Sequence, residues 1–369
     1  MTIQENNIPQ RQSGDLLVNA EALRDFVRRL WTAAGSSATE AGLVADHLVM
    51  ANLTGHDSHG VGMIPRYVRS LHDGVLKLNQ HAVVVRDAGA VLTIDGACGL
   101  GQVVAYEAID HGIERAKKIG ICAVGLRNAH HIGRIGHWAE QCARQGLVSF
   151  HFVNVAGSAH VAPWGGSDGR FGTNPFCAAF PRQGKEPLVL DFATSGIAQG
   201  KARVAYNKGS HVPAGCLIDH QGEPTTDPRV MFEEPHGALR TFGQHKGHGL
   251  AMMCELFSGA LTGGYTTHAE TRITNNGVIN CMLSVIIDPK AFDAEDTEAE
   301  AEAFIAWVKA SPKSAGCDEI YAPGEPERLR HAQRRHSGIP IDTATWDEIE
   351  RAATALGMPA TEIASALAA

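Results

Sequence analysis

The chain lacks most of the features that mark a secreted, membrane-spanning or nucleic-acid-binding protein. Its eight cysteines, at 98, 122, 142, 177, 216, 254, 281 and 317, form no CxxC pair. Scattered through apolar runs, they suggest neither a zinc knuckle nor a disulfide framework, and buried reduced thiols in a cytoplasmic protein are the plain expectation. No run of 18 or more apolar residues occurs, so no membrane span is expected. The opening MTIQENNIPQRQSGD has no apolar segment of the secretory type. There is no long Lys/Arg block, and the net charge is −8 with a pI near 6.2. That balance argues against nucleic acid or an acidic membrane as a partner. Several catalytic signatures are missing too. GxxxxGK[ST] is absent, which removes the P-loop, and GxGxxG is absent, which removes support for a Rossmann cofactor site. HExxH and HxH do not occur, and no strand–GxSxG–helix elbow is read.

What remains is an ordinary globular composition with an excess of glycine. The chain has 369 residues, 44% hydrophobic and 20% charged, enough for two or three domains and a substantial core. Its 40 glycines cluster between apolar runs, as in loops that approach ligands closely. Residues 1–15 read as a flexible arm. Leu23, Phe26, Val27, Leu30 and Trp31 recur at helical spacing up to Gly35. Ser37-x-x-Glu40 reads as a capping box for a second helix reaching Thr54, and a third is expected from Gly60 or Val61 to Gly74. Beyond it, β-type runs at 82–87, 90–96, 121–126, 147–153, 176–180, 187–192 and 283–288 interleave with helices near 101–118, 134–145 and 246–262. Strands alternating with helices predict an α/β body. The tail is helical, and its acidic stretch at 293–302 reads as a solvated helix start. No repeat of 20–50 residues is visible.

Polar and glycine residues concentrate in four places: GHDSHGVGMIPRYV (55–68), RNAHHIGRIGHWAEQ (127–141), RFGTNPFCAAFP (170–181) with LDFATSGIAQGK (190–201), and FGQHKGHGLAMM (242–253). His56-x-x-His59 and His245-x-x-His248 each offer two metal ligands, but no third ligand is readable, so no metal site is assigned. Ser58 beside His59 fits a triad only if a buried acid such as Asp191 reaches it. In HHIGRIGHW, Gly133 and Gly136 allow close backbone approach, Arg134 is able to pair with phosphate, and the segment opens a helix whose first amides favour anions. A glycine-rich turn before an amphipathic helix is the plain alternative. If 60–73 is one helix, His59 and Arg66 share a face about 10 Å apart. A guanidinium for a carboxylate and an imidazole for the neighbouring oxygen suit a 2-oxo or 2-hydroxy acid. A helix-capping histidine and a solvated arginine are the alternative.

Taken together, HDSHGVGMIPRYV, HHIGRIGHW, RFGTNPFC, LDFATS…GK, PTTDP and HKGHGLAMMCE resemble the malate/L-lactate dehydrogenase family that lacks a Rossmann fold, from about residue 20 to the C-terminus. The resemblance implies a 2-hydroxy acid dehydrogenase or 2-oxo acid reductase, homodimeric, using NAD or NADP, with NAD preferred. It implies a helical domain built from both chain ends (16–80 with 290–369) and a mixed α/β domain of non-Rossmann topology (81–289) holding the cofactor. Carried over by motif, His59 is the proton donor, with Ser58 and Asp191 as relay partners and His131 as a second acid/base candidate. Arg66 and Thr173 bind substrate. His59, Gly133, Arg134, Ile135, Val189, Leu190, Asp191, Phe192, Ala193, His245, Asn280, Glu325 and Arg328 line the cofactor site. The family pattern HKGYG reads HKGHG here, with His248. A non-enzymatic ligand-binding protein and a metal-dependent hydrolase are the readings from other classes.

Overall fold

The Asn19 side chain accepts hydrogen bonds from the backbone N–H groups of Glu21 and Ala22, and the first helix begins there. In chain order the elements are β1 (Asp15–Val18), α1 (Ala20–Ala34), α2 (Ala38–Leu53), α3 (Ile64–His72), β2 (Val83–Asp87), β3 (Val91–Asp95), α4 (Gly101–Ile119), β4 (Ile121–His130), α5 (Gly136–Ala143), β5 (Val148–Val155), β6 (Phe176–Phe180), β7 (Leu188–Phe192), α6 (Gln199–Asn207), β8 (Leu217–Ile218), β9 (Pro224–Thr225), β10 (Ala238–Leu239), α7 (His245–Cys254), β11 (Ile279–Ile287), α8 (Thr297–Lys309), α9 (Glu325–Ser337), β12 (Ile339–Asp342), α10 (Thr343–Ala355) and α11 (Ala360–Ser365). The structure, a computed structural model, describes residues 15–365 apart from 157–158, 208, 269, 271–276 and 294–295. Most of the expected arm, residues 1–14, lies outside the described residues, and Asp15 already belongs to a strand.

The chain divides into two compact units. One takes in the residues up to Val68 with Leu329–Ala369, and the other is Arg69–Arg328, so the division falls within α3 and within α9. Residues 69–80 and 290–328 therefore go with the sheet and not, as the resemblance implies, with the chain ends. In the first unit α1 buries Leu23, Phe26, Val27, Leu30 and Trp31 and ends at Gly35 (φ 103°). Burying each of these large side chains contributes about 1.5–3 kcal/mol. Ser37 caps α2 through the Glu40 N–H, while the Glu40 carboxylate also accepts the Ser36 hydroxyl at 2.6 Å. The two chain ends are joined by the antiparallel pair β1–β12.

In the second unit a seven-stranded sheet has the order β2-β3-β4-β11-β5-β6-β7. Only β3 and β4 run parallel and the other neighbours are antiparallel, so this is a mixed sheet rather than a doubly wound parallel one. Leu92, Ile94, Val124, Leu126, Met282 and Ile286 pack with Val104, Ala108 and Ile109 of α4 and Trp138 and Ala139 of α5 in one core. A Cβ on Gly101 would lie 2.3 Å from the carbonyl oxygens of His130 and His131, so glycine lets the start of α4 seat against the end of β4. A smaller sheet, β10-β8-β9, has its own core around Val161, Phe171, Leu217, Leu239 and Ala251. The helix expected over 246–262 is α7 followed by a π-helical turn, Glu255–Ala260. The acidic stretch before and in α8 is more than a solvated start. Glu302 holds Arg182 and Lys185, which pull its carboxyl down to about 2, and Glu298 accepts the Gln183 N–H.

Candidate active site

In the first unit, residues 55–68 do not form the single helix predicted from their spacing. Asp57–His59 is a 3₁₀ turn, Gly60 is extended (φ −89°, ψ −154°), Val61–Met63 is a second 3₁₀ turn, and α3 begins only at Ile64. His59 and Arg66 therefore do not lie two turns apart on one helix face, and that argument for pairing them falls. The cause is Asn52, at the end of α2. Its Oδ1 accepts the Val61 N–H at 2.8 Å and its Nδ2 donates to Asp57 at 2.7 Å. The chain bends around this amide instead of coiling past it. Ser58 is exposed, while His59 and Arg66 are half-buried. Arg334 grips Asp57 with both nitrogens, at 2.6 and 3.0 Å.

In the second unit, most segments picked from sequence converge. The loop Ile132–Ile135 follows β4, with Gly133 in the left-handed region (φ 74°). Asn280 is buried and bridges, its Oδ1 accepting the Ile132 N–H at 3.0 Å and its Nδ2 donating to the Asn154 carbonyl at 2.8 Å. It fastens the loop to the sheet from behind. Asp191, near the end of β7, accepts the Gly136 N–H at 2.9 Å, and a Cβ on Gly136 would sit 2.6 Å from that carboxylate oxygen.

Arg134 is not exposed toward a phosphate. It is 3% exposed, is paired with Glu140 and has Asp191 at 4.0 Å. Burial opposes its charge, but Glu140 and Asp191 more than compensate and hold its pKa above the ordinary value. The loop presents backbone instead. Gly133 and Ile135 are buried, and neither N–H has an acceptor among the described residues. Unpaired buried amides are uncommon and fit an anionic or carbonyl oxygen of a ligand.

Around this loop the remaining segments gather. Phe192 packs edge-on against Phe242 at 5.3 Å, and the Phe242 N–H donates to the Thr194 carbonyl, which brings the end of β7 to the exposed His245 at the start of α7. Thr173 supplies its carbonyl to the N–H and hydroxyl of Thr194. Val189 is buried on the edge strand, its N–H donating to the Pro323 carbonyl, and Leu190 is exposed. Arg328 donates to the Pro187 carbonyl, while Glu325 takes Lys309 and the Ala322 N–H. Ala193 continues directly from β7. His248 accepts the Trp164 N–H and packs edge-on against Phe171, a side-chain role within the unit.

Three buried polar residues went unread in the sequence. The Glu255 carboxylate is held by Asn154, Asn174 and the Thr267 N–H, and Asn174 also accepts the Val155 N–H. Lone polar residues inside apolar runs, NV after FHFV and E after LAMMC, were the available signal. Two histidines drop out as proton donors, since burial drives the pKa of His137 and of His151 down to about 3. Burial pushes the Cys177 thiol well up, so it is no nucleophile. Gly165–Gly169, GGSDG, spells GxSxG but lies in turns and bends with no strand leading in and no helix leading out.

This geometry has relatives. The malate/L-lactate dehydrogenase family profile matches residues 18–350. The chain belongs to the malate/L-lactate dehydrogenase family. Hydroxycarboxylate dehydrogenase B of Escherichia coli (strain K12) is 54% identical over 342 residues, 92% of this chain and 94% of that protein. L-lactate dehydrogenase of Cupriavidus necator is 38% identical over 345 residues, 92% of this chain and 98% of that one. An E. coli structure of the malate/lactate dehydrogenase type matches with a TM-score of 0.93 at 52% identity, covering 96% of this chain and 99% of that chain. Family membership makes this chain an oxidoreductase of the hydroxy-acid dehydrogenase class, and such dehydrogenases work with a nicotinamide cofactor. The mixed sheet agrees with the missing GxGxxG, and the loop after β4 is buttressed by Asn280 and Asp191.

Proposed function

We propose that the chain interconverts 2-oxo and 2-hydroxy acids, with NAD as cofactor and His59 as the group that gives a proton in reduction and takes it back in oxidation. Family membership over residues 18–350 carries the reading, since the relatives are hydroxycarboxylate, L-lactate, malate and sulfolactate dehydrogenases. When bound, the nicotinamide supplies or accepts the hydride at substrate C2. This chain's residues do the rest. An alkoxide left by hydride addition is too basic to persist at neutral pH, and histidine is the side chain type that gives and takes a proton most readily in this range. Arg66 holds the substrate carboxylate by a forked pair, Thr173 is a second substrate-binding residue, and Ser58 relays the proton. His131, buried next to the cofactor loop, is the second acid/base candidate.

The cofactor lies on the Gly133 and Ile135 amides, with Leu190, Phe192, Ala193, His245, Glu325 and Arg328 around it. We prefer NAD: the arginine of HHIGRIG is buried with its charge already paired by Glu140 and Asp191, which leaves it turned inward rather than toward a 2′-phosphate. The protein is taken as a cytoplasmic homodimer. α8 supports the dimer with 13 residues of which none is buried and with exposed Phe304 and Trp307, the kind of surface a second copy covers. No helix among the described residues is long and apolar enough to cross a membrane.

Incubation with NADH or NADPH and a panel of 2-oxo acids, read at the nicotinamide absorbance band, tests the reading. Oxidation of NADH by at least one acid, surviving EDTA, is expected. Ligand binding without turnover would favour the binding-protein reading. Activity lost to EDTA and restored by zinc would favour a metal enzyme.

A further inference from the structure

The turn that carries His59 has no core of its own, for none of its three residues is buried. A single 3₁₀ turn at a surface is a poor platform for an acid that must meet one oxygen. Its two flanks, however, are tied. Before His59, both oxygens of Asp57 are held by Arg334, at 2.6 and 3.0 Å, and Oδ1 also accepts Asn52 Nδ2 at 2.7 Å. After His59, the Val61 N–H donates to Asn52 Oδ1 at 2.8 Å. Arg334 is itself 8% exposed and donates to the Asn52 carbonyl, so one buried guanidinium anchors both Asp57 and the end of α2. Gly60 is part of the device, because a Cβ there would fall 2.1 Å from Asn52 Oδ1.

We propose that Arg334, Asp57 and Asn52 form a positioning clamp for His59, with Arg334 as its key residue. The inference rests on the reading of His59 as the proton donor. The clamp fixes residues 57 and 61, which leaves the backbone of His59 little freedom between them. Misplacing a reacting group by about 1 Å costs up to about a hundredfold in rate. The planar fork matters here, since lysine keeps the charge but cannot span both carboxylate oxygens.

The test uses the full-length protein with a turned-over 2-oxo acid, in the variants Arg334→Lys, Asp57→Asn and His59→Asn and in the doubles that combine each clamp variant with His59→Asn. Expected are a fall in kcat of about tenfold or more in each clamp variant, an NADH Kd unchanged by fluorescence titration, and doubles no slower than His59→Asn alone. If Arg334→Lys fails to fold, Asp57→Asn carries the test, because its side chain is 49% exposed. Native kcat in the clamp variants beside a slow His59→Asn overturns the clamp alone. Doubles slower than His59→Asn also overturn it, since Arg334 would then act elsewhere. Native kcat in His59→Asn overturns the proton-donor reading, and the clamp with it.

Discussion

Asp191→Asn separates two roles for the same carboxylate. The family resemblance implies that Asp191 relays to His59, whereas its contacts in the second unit make it the anchor of the loop at 132–136, proposed above to hold the cofactor. Its Oδ2 accepts the Gly136 N–H at 2.9 Å and lies 4.0 Å from Nε of the buried Arg134. A charge-assisted hydrogen bond contributes about 1.5–3 kcal/mol. Leaving a buried charge wholly unpaired costs about 3–5 kcal/mol, but Glu140 still pairs Arg134. Asparagine keeps an acceptor for Gly136 and loses only the charge, so the expected loss is about 2 kcal/mol, with about 1 kcal/mol more for alanine. In a unit of this size, 2 kcal/mol lowers Tm by about 4–8 °C. If the loop shifts, NADH affinity should fall about tenfold, equivalent to about 1.4 kcal/mol. Calorimetry and NADH fluorescence titration read both quantities, and kcat at saturating cofactor should change less than Kd. Native Tm and native NADH Kd would refute the anchor, and a kcat loss with both intact would return Asp191 to the relay.

Three further outcomes are expected. Arg66→Lys keeps the charge and loses the fork, so KM for the oxo acid rises while KM for the cofactor stays put; unchanged oxo-acid kinetics would return Arg66 to a structural role. His151 lies fully buried between Ser149 and Ser284 with its pKa lowered to about 3. The unfolded chain takes up this proton below about pH 6.5 and the native state does not, so stability is full above that pH and falls between 6.5 and 3. At pH 5 the loss is about 2 kcal/mol, and urea melts of His151→Gln should show a flatter slope over that window; an identical slope would refute this account. Light scattering at micromolar concentration should give twice the 39.3 kDa chain mass, and a monomer would remove the dimer from the proposal.

Local signals with local causes were legible. α1 is readable because its apolar residues recur on one face up to the left-handed Gly35, and the long strands of the sheet are readable as short apolar runs between turn residues. β1 and β12 were not, because four-residue strands are made by pairing with the opposite chain end. The turn at His59 was misread because Asn52, in the preceding helix, decides the path of Gly60 and Val61. Arg134 looks like a phosphate ligand in the sequence because spacing cannot show that Asp191, 57 residues on, and Glu140 enclose it. The candidate site residues were picked by motif, and what each one touches in the fold is set by partners distant in sequence, as Asn280 is for the Ile132 N–H.

The central claim is that His59 supplies the proton. It is tested most directly by the pH dependence of kcat in His59→Asn and His131→Asn, with NADH and a 2-oxo acid at saturation. The account predicts that His59→Asn lowers kcat by about two to four orders of magnitude, still binds NADH, and loses the pH limb that the native enzyme shows, while His131→Asn keeps that limb. A His131→Asn enzyme that is inactive and without the limb, beside a His59→Asn enzyme that turns over normally, would contradict it.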